Sequence, residues 1–362
     1  MSIKLPKGSK LISAFITGSN LYGTNTPDSD IDTRGVFLPP RENVLGFARQ
    51  AERFSDKVTD TEYYNIKHFF KLALKCNPNI IEYFFIPSSQ MIISSKEWDI
   101  IIENKDLFIS SKAKHTFTGY AFSQMKKIKN HRSWLLTPPK KKPERKDFDL
   151  PPHKSLLSRD KIGAFNEIIA NYLKQIGTYH ELKDSLLEME EVHNYKAIIE
   201  NTSKLDFKAI GTIVPLSDNI MYALEREKAY SSALIHWTQY QNWLKNRNPA
   251  RAKLEAKFNY DTKHAMHLYR LVEECQELLT TGKITLPRPD REHLLAIKNG
   301  LYSFEQLMEK FDKVNDELEE IYKNSILPKK PQLIKVDDLC IKIIEQHVNY
   351  HYPKGIVASK EA

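Results

Sequence analysis

Two carboxylates, Asp30 and Asp32, stand one residue apart, and the first of them follows Gly18 by twelve positions. In an extended strand residues i and i+2 face the same way, so Asp30-Ile31-Asp32 is expected to present both acids while Ile31 packs inward. Such a pair suits in-line attack of a hydroxyl on a phosphate. Two divalent ions about 4 Å apart, held by converging carboxylates, neutralise the charge that develops. Magnesium, or manganese in its place, takes hard oxygen ligands and keeps several waters, so two or three acids with phosphate oxygens suffice. A Gly18-Ser19 turn after an apolar run would let backbone N–H groups and a hydroxyl approach a triphosphate. Asp60 and Glu62, again two apart, are both available as a third carboxylate.

Those residues need a sheet beneath them. Leu11 to Thr17 and Ile31 to Leu38 read as strands, the first ended by Gly18 and the second by Pro39-Pro40. Val58 to Tyr64 reads as a third, leading to a helix near Ile66 to Leu74. Asn77-Pro78-Asn79 breaks that helix, and Ile80 to Ile86 follows as a further buried segment. Beyond about residue 105 helical periodicity takes over, at Lys114 to Leu135, Lys161 to Glu191, Asp218 to Asn246, Thr262 to Thr281, Phe304 to Asn324 and Val336 to His347. Asp261 is placed to cap the fourth of these and Gly282 to end it, while Ser303 with Gln306 forms a capping box for the fifth. Four parts are expected: 1–105 catalytic, 106–160 a basic helix and Pro/Lys-rich loop, 161–330 helical, and 331–362 a tail with a short helix.

Further side chains are candidates for binding. Ser29 could bond a phosphate or its own loop, and Asp28 is expected as an Asx-turn residue. Arg34 could neutralise a triphosphate or buttress an aspartate. Lys263, His267 and Arg270 are spaced four and three apart, which puts them on one cationic helix face opposite Leu268, Leu271, Val272 and Cys275. His264 and His267 have no third ligand evident in the sequence and are not expected to hold zinc. From Thr118 to Lys146 nine Lys/Arg face a single acid, Glu144, an excess equal to that of the whole chain, +8. Lys126, Lys127, Lys129, His131 and Arg132 in this stretch alternate with Tyr120, Phe122 and Trp134, as a groove tracking single-stranded nucleic acid would.

Gly18-Ser19 followed by Asp30-x-Asp32 resembles the signature of the DNA polymerase β-type nucleotidyltransferase superfamily. Within it, GSNLYGTNTPDSDIDTRGVFLPP resembles the predicted phage and bacterial nucleotidyltransferases of the RNA-repair-pathway polymerase-β-like family, at Gly18, Ser19, Tyr22, Gly23, Thr26, Pro27, Ser29, Asp30, Asp32, Arg34 and Gly35. The similarity extends to Asn77-Pro78 with Glu82, to His131-Arg132, and to Tyr260-Asp261 through Arg270, although only the first forty residues carry a specific motif. It implies an α+β protein, an N-terminal mixed sheet with helices followed by a mostly α-helical region. It implies Asp30 and Asp32 as catalytic metal ligands, and Gly18 and Ser19 as NTP-binding. An acid at Asp60 is implied as the third ligand, with Glu62 sharing its strand face. The implied reaction moves an NMP from NTP to a hydroxyl, with an RNA 3′ end the favoured acceptor, a protein or small molecule the alternative, and RNA-repair enzymes as partners. A reading from another class is a non-catalytic nucleotide- or nucleic-acid-binding module of an RNA-repair or toxin–antitoxin assembly.

Composition sets the outer bounds. The 362 residues, 41% hydrophobic and 10% aromatic with 12 glycines, describe a folded chain with a real core. No apolar run approaches the roughly 20 residues of a membrane span, and Met1 to Lys10 lacks a signal-peptide pattern. Cys76, Cys275 and Cys340 are odd in number and far apart, which fits a reducing, cytoplasmic setting.

Overall fold

The computed structural model describes residues 4–27, 29–47, 51–150 and 218–350. Asp28 and the helix expected at Lys161 to Glu191 lie outside the described residues. The chain forms two compact units, Met1–Arg132 with Lys253–Ala362, and Ser133–Ala252.

In the first unit β1 (Lys10–Thr17) runs into a single helical turn, α1 (Gly18–Tyr22), and β2 (Asp32–Leu38) follows. After the short α2 (Arg41–Leu45) come β3 (Arg53–Asp56), β4 (Thr61–Asn65), α3 (Ile66–Leu74), α4 (Pro78–Ile81), β5 (Met91–Ser94), α5 (Lys96–Glu103) and α6 (Ala113–Leu136). The sheet order is β3-β4-β2-β1-β5, with β2 and β4 parallel and the other neighbours antiparallel. β1 sits between two partners, and Ile12 through Phe15 are all buried, as befits a strand covered on both faces. Phe15 meets Tyr83 at 4.8 Å and Trp98 at 5.7 Å between ring centroids, and Phe69 joins both rings from α3. Ile66, Phe69, Phe70 and Ala73 give α3 one buried stripe at helical spacing, and Asn65 caps it by accepting from the Lys67 N–H at 2.9 Å.

One strand expectation shifts. Residues 57–60 form the turn of a β3–β4 hairpin, so β4 begins at Thr61 rather than at Val58. The segment from Ile80 is buried through Phe84, as expected, and is helical: Asn77 caps α4 with Pro78 at its first position, and a 3₁₀ turn, Glu82–Phe85, continues it.

The C-terminal helices are α7 (Asp218–Lys245), α8 (Pro249–Phe258), α9 (Thr262–Thr281), α10 (Arg291–Lys298), α11 (Phe304–Asn324) and α12 (Leu333–Tyr350). α9 packs on α10 and α11. Asp261 caps it through the His264 N–H at 3.0 Å, and Gly282, in the left-handed region at φ 71°, ends it. Ser303 and Gln306 form both halves of the capping box on α11. The two-faced pattern expected for α9 does not hold. Arg270 and Glu274 are buried together with Leu268, Leu271, Val272 and Cys275, because neighbours cover the helix on several sides. All three cysteines are buried and none is in a disulfide. Among the described residues no helix is long and apolar enough to cross a membrane.

Candidate active site

Sheet register gathers the first candidates. Thr17, the last residue of β1, pairs with Asp32, the first of β2, and Thr33 pairs with Thr61 at the start of β4. The Gly18 turn, Asp32 and Asp60 therefore meet at one end of three adjacent strands. Gly18 has φ 64°, and a Cβ there would fall 1.9 Å from Asp32 Oδ2. Only glycine lets the turn approach that carboxyl so closely. Ser19, the second residue of α1, is half-buried, its carbonyl accepting from the Thr24 N–H at 2.9 Å. Asn20 Nδ2 donates to the Asp30 carbonyl at 3.0 Å and ties the motif's two ends together, a contact the sequence reading did not anticipate. Ser29 Oγ accepts from the Thr26 N–H at 2.8 Å and so closes its own loop.

Arg34 lies two residues along β2 from Asp32 and shares its face. Its Nη2 is 3.0 Å from Asp60 Oδ1 and 3.9 Å from Asp32 Oδ1, and its Nε is 3.9 Å from Glu62 Oε2. Nη1 also donates to the Asp60 carbonyl at 2.5 Å, which pins the left-handed turn at Asp60, φ 42°. The acids nonetheless crowd one another. Burial first, then a hydrogen bond to Asp60 and its charge, push the Asp32 carboxyl up to about 6, while that same hydrogen bond lowers Asp60. Glu62 is engaged elsewhere, by Arg53 Nη1 at 2.7 Å and the Tyr64 hydroxyl at 2.5 Å.

Ile31 corrects one expectation. It is 61% exposed, and β2 starts only at Asp32, so the alternation that was to pack Ile31 inward has not begun there. Asp30 lies on exposed coil before the strand, close enough for its charge to add to the rise at Asp32. A divalent cation fits this end. The donors are carboxylate oxygens, the kind magnesium takes, and a cation would relieve the repulsion between Asp32 and Asp60. Asp30, Asp32 and Asp60 do not themselves form a tight trio. Among the described residues, the three-residue group with metal-ligand proximity is His131, Asp261 and His264.

Behind the Gly18 loop is a buried polar cluster. The Tyr22 hydroxyl donates to Glu82 Oε2 at 2.6 Å, Arg270 donates to Glu82 and to Glu274 (3.0 Å), and its guanidinium lies 3.9 Å over the Tyr22 ring. Burial, above all, keeps the Tyr22 hydroxyl protonated and raises the Glu274 carboxyl well above its usual range. The Arg288 N–H donates to the Tyr22 carbonyl at 3.2 Å, and Gly23, φ 71°, sits against Pro287. Arg270 is thus placed inside the fold beneath the loop, whereas Lys263 is exposed and His267 half-buried. Glu82 and Glu274 were not singled out as site residues. The signal for Glu82 is one acid inside an apolar run, IIEYFFI, which demands a buried partner.

The basic stretch divides. Lys126, Lys127 and Lys129 are exposed on α6, with Ile128 buried between them. His131 turns inward, Nδ1 3.0 Å from Asp261 Oδ2, and Arg132 lies 4.4 Å over the Phe304 ring with Glu305 Oε1 at 3.0 Å. Of the aromatics, Tyr120 and Phe122 are partly exposed on α6 and each also makes an internal contact. Tyr120 accepts from Asn77 Nδ2 at 2.7 Å, and Phe122 sits edge-on to Phe311 at 5.2 Å. In the second unit, Trp134 is buried with Nε1 donating to His236 Nε2 at 2.7 Å.

Comparison with known proteins bears on the same segment. Residues 2–138 match the family model described as the RNA repair pathway DNA polymerase beta family, so the resemblance carried by the Gly18 to Gly35 motif is borne out there. That family is one of polymerase-β-like nucleotidyltransferases named for an RNA-repair pathway. The chain is also similar to an uncharacterised 38.9 kDa protein in the nrdC–mobD intergenic region of Enterobacteria phage T4. The two are 26% identical over 361 residues, which cover 92% of this chain and 97% of that protein. No solved structure matches the chain.

Proposed function

We propose that the sheet end at Gly18, Asp32 and Asp60 binds an NTP and transfers its NMP to a hydroxyl with release of pyrophosphate, the favoured acceptor being an RNA 3′ end. The observation that carries this reading is the register that brings a glycine turn and two carboxyls together, within the segment that matches a polymerase-β-like family. Asp32 and Asp60, with Asp30 beside them, hold magnesium or manganese, which when bound neutralises charge developing on the phosphates. The backbone of Gly18 and the Ser19 hydroxyl meet the triphosphate. Arg34 fixes the Asp60 turn, and Ser29 keeps the intervening loop closed. Glu62 sets Arg34 from the other side, through its own bonds to Arg53 and Tyr64. Tyr22, Glu82 and Arg270 support the Gly18 loop from behind, and Lys263 and His267 supply cationic or polar groups on the outer side of α9.

Lys126, Lys127 and Lys129 are the cations placed to attract an RNA backbone. His131 and Arg132 align that segment of α6 through Asp261, Phe304 and Glu305. RNA-repair enzymes are the natural partners, and three thiols outside any disulfide suit a reducing interior such as the cytoplasm. The experiment is incubation with magnesium and each α-labelled NTP, with and without an RNA bearing a free 3′ hydroxyl. Label is expected in the RNA and is lost when the 3′ end is blocked. Label on a protein or a small molecule would move the acceptor. No label in any arm, with NTP or RNA still bound, would leave a binding module.

A further inference from the structure

A set of metal-binding side chains lies outside the sheet end, on α6 and at the start of α9. We propose that His131, Asp261 and His264 form a zinc site that fastens these two helices together. Their three donor atoms all lie within 4.8 Å of one another. Two separations are tighter, 3.0 Å from His131 Nδ1 to Asp261 Oδ2 and 3.6 Å from His264 Nε2 to the same oxygen. Ligand atoms about 2.0–2.1 Å from a tetrahedral zinc stand about 3.3 Å from one another. These two separations bracket that edge, and an inward turn of the imidazoles brings the third, already within 4.8 Å, toward it. The rings are able to make it, with centroids 5.4 Å apart and planes tilted by 55°, so they do not stack face to face.

Local structure fixes the central ligand. Asp261 Oδ1 accepts the His264 N–H at 3.0 Å as the cap of α9, which leaves Oδ2 facing both imidazoles. Charge points to a divalent ion. Asp261 is fully buried, and Glu255, only 1% exposed, brings a second carboxylate to 3.8 Å from His131 Nδ1. A dication set among these buried carboxylates would be held by favourable charge as well as by ligation. The donor type then selects the metal: two imidazoles with one carboxylate favour zinc over magnesium, in contrast with the all-oxygen set at Asp32. His264 acquires in the fold what its sequence neighbours did not offer, a partner histidine 133 positions away on another helix. The fourth position is left to Glu255 or a water.

The test uses the full chain carrying Asp30→Asn and Asp32→Asn, so that the sheet-end carboxyls do not contribute. After removal of metal with a chelator, zinc is titrated against a chromophoric competitor, and the cobalt form is examined for the visible bands of tetrahedral ligation. One zinc per chain, a raised Tm and a tetrahedral cobalt spectrum are expected. His131→Gln and His264→Gln should each weaken zinc by roughly 100-fold or more, with far-UV circular dichroism unchanged. Asp261 is left alone because it also caps α9. Should either variant fail to fold, the cobalt spectrum of the parent chain decides. Absence of the tetrahedral bands, or zinc affinity unchanged in both folded variants, would overturn the site and leave an ordinary His–Asp pair at a helix start.

Discussion

Asp32 is held where its charge is costly. Burial and the neighbouring Asp60 raise its carboxyl to about 6, against about 3.9 in an unfolded chain. An acid whose pKa rises on folding stabilises the folded state most below its unfolded pKa, and that contribution is lost as pH climbs through about 6. Without divalent cation, Asp32→Asn should therefore raise Tm at pH 7.5, and the gain should shrink toward pH 4.5, where the native carboxyl is itself protonated. Thermal unfolding of both proteins in chelator at the two pH values checks this. An equal gain at both would remove the raised pKa from the account. A stability gain from deleting a functional carboxylate is the usual signature of a site held in tension with the fold. Asp32 itself was legible from spacing, and Gly18 from its place after an apolar run. Its role became visible only when β1 and β2 were in register, because nothing local says that a Cβ at Gly18 would meet Asp32 Oδ2. The exposure of Ile31 was not legible either, since strand alternation was carried one residue past the strand's true start.

α9 shows the same limit for an element. Its bounds, its Asp261 cap and its Gly282 stop follow from short-range rules and agree with the structure. What covers it does not follow, because the partner acid Glu82 lies 188 residues from Arg270. Lys263, His267 and Arg270 are expected on one cationic face, yet Arg270 is buried between two carboxylates and under the Tyr22 ring. Arg270→Ala should strand Glu82 and Glu274 in the interior, and breaking a buried pair from one side costs about 3–5 kcal/mol. Lys263→Ala, on the exposed side, should change stability by no more than about 0.5 kcal/mol. Denaturant titration of the two variants separates them, and equal, small losses would contradict the buried placement of Arg270. The short edge strands escaped the sequence reading for a related reason: RFSD and MIIS, four residues each, offer too little alternation to register.

At the scale of the molecule, chain order and spatial order diverge. The first unit takes its sheet from the N-terminal third and closes with helices from beyond Lys253, so the Gly18 loop rests on α9, met more than 240 residues later. Local periodicity reveals the helices and not this return. The charge excess also reads differently in space. Of the nine cations, Arg132, Lys141, Arg145 and Lys146 are engaged with acids, while Lys126, Lys127 and Lys129 are exposed on α6 and Lys140 and Lys142 are exposed after its end. All of this arrangement bears on one claim, that the carboxyls at the sheet end carry nucleotidyl transfer. The most direct measurement is the rate at which label from an α-labelled NTP enters the acceptor with magnesium present, for the parent protein and for Asp32→Asn, each shown folded by circular dichroism. Transfer by the parent and only background by Asp32→Asn is the result the account predicts; transfer at the parental rate by a folded Asp32→Asn protein would contradict it.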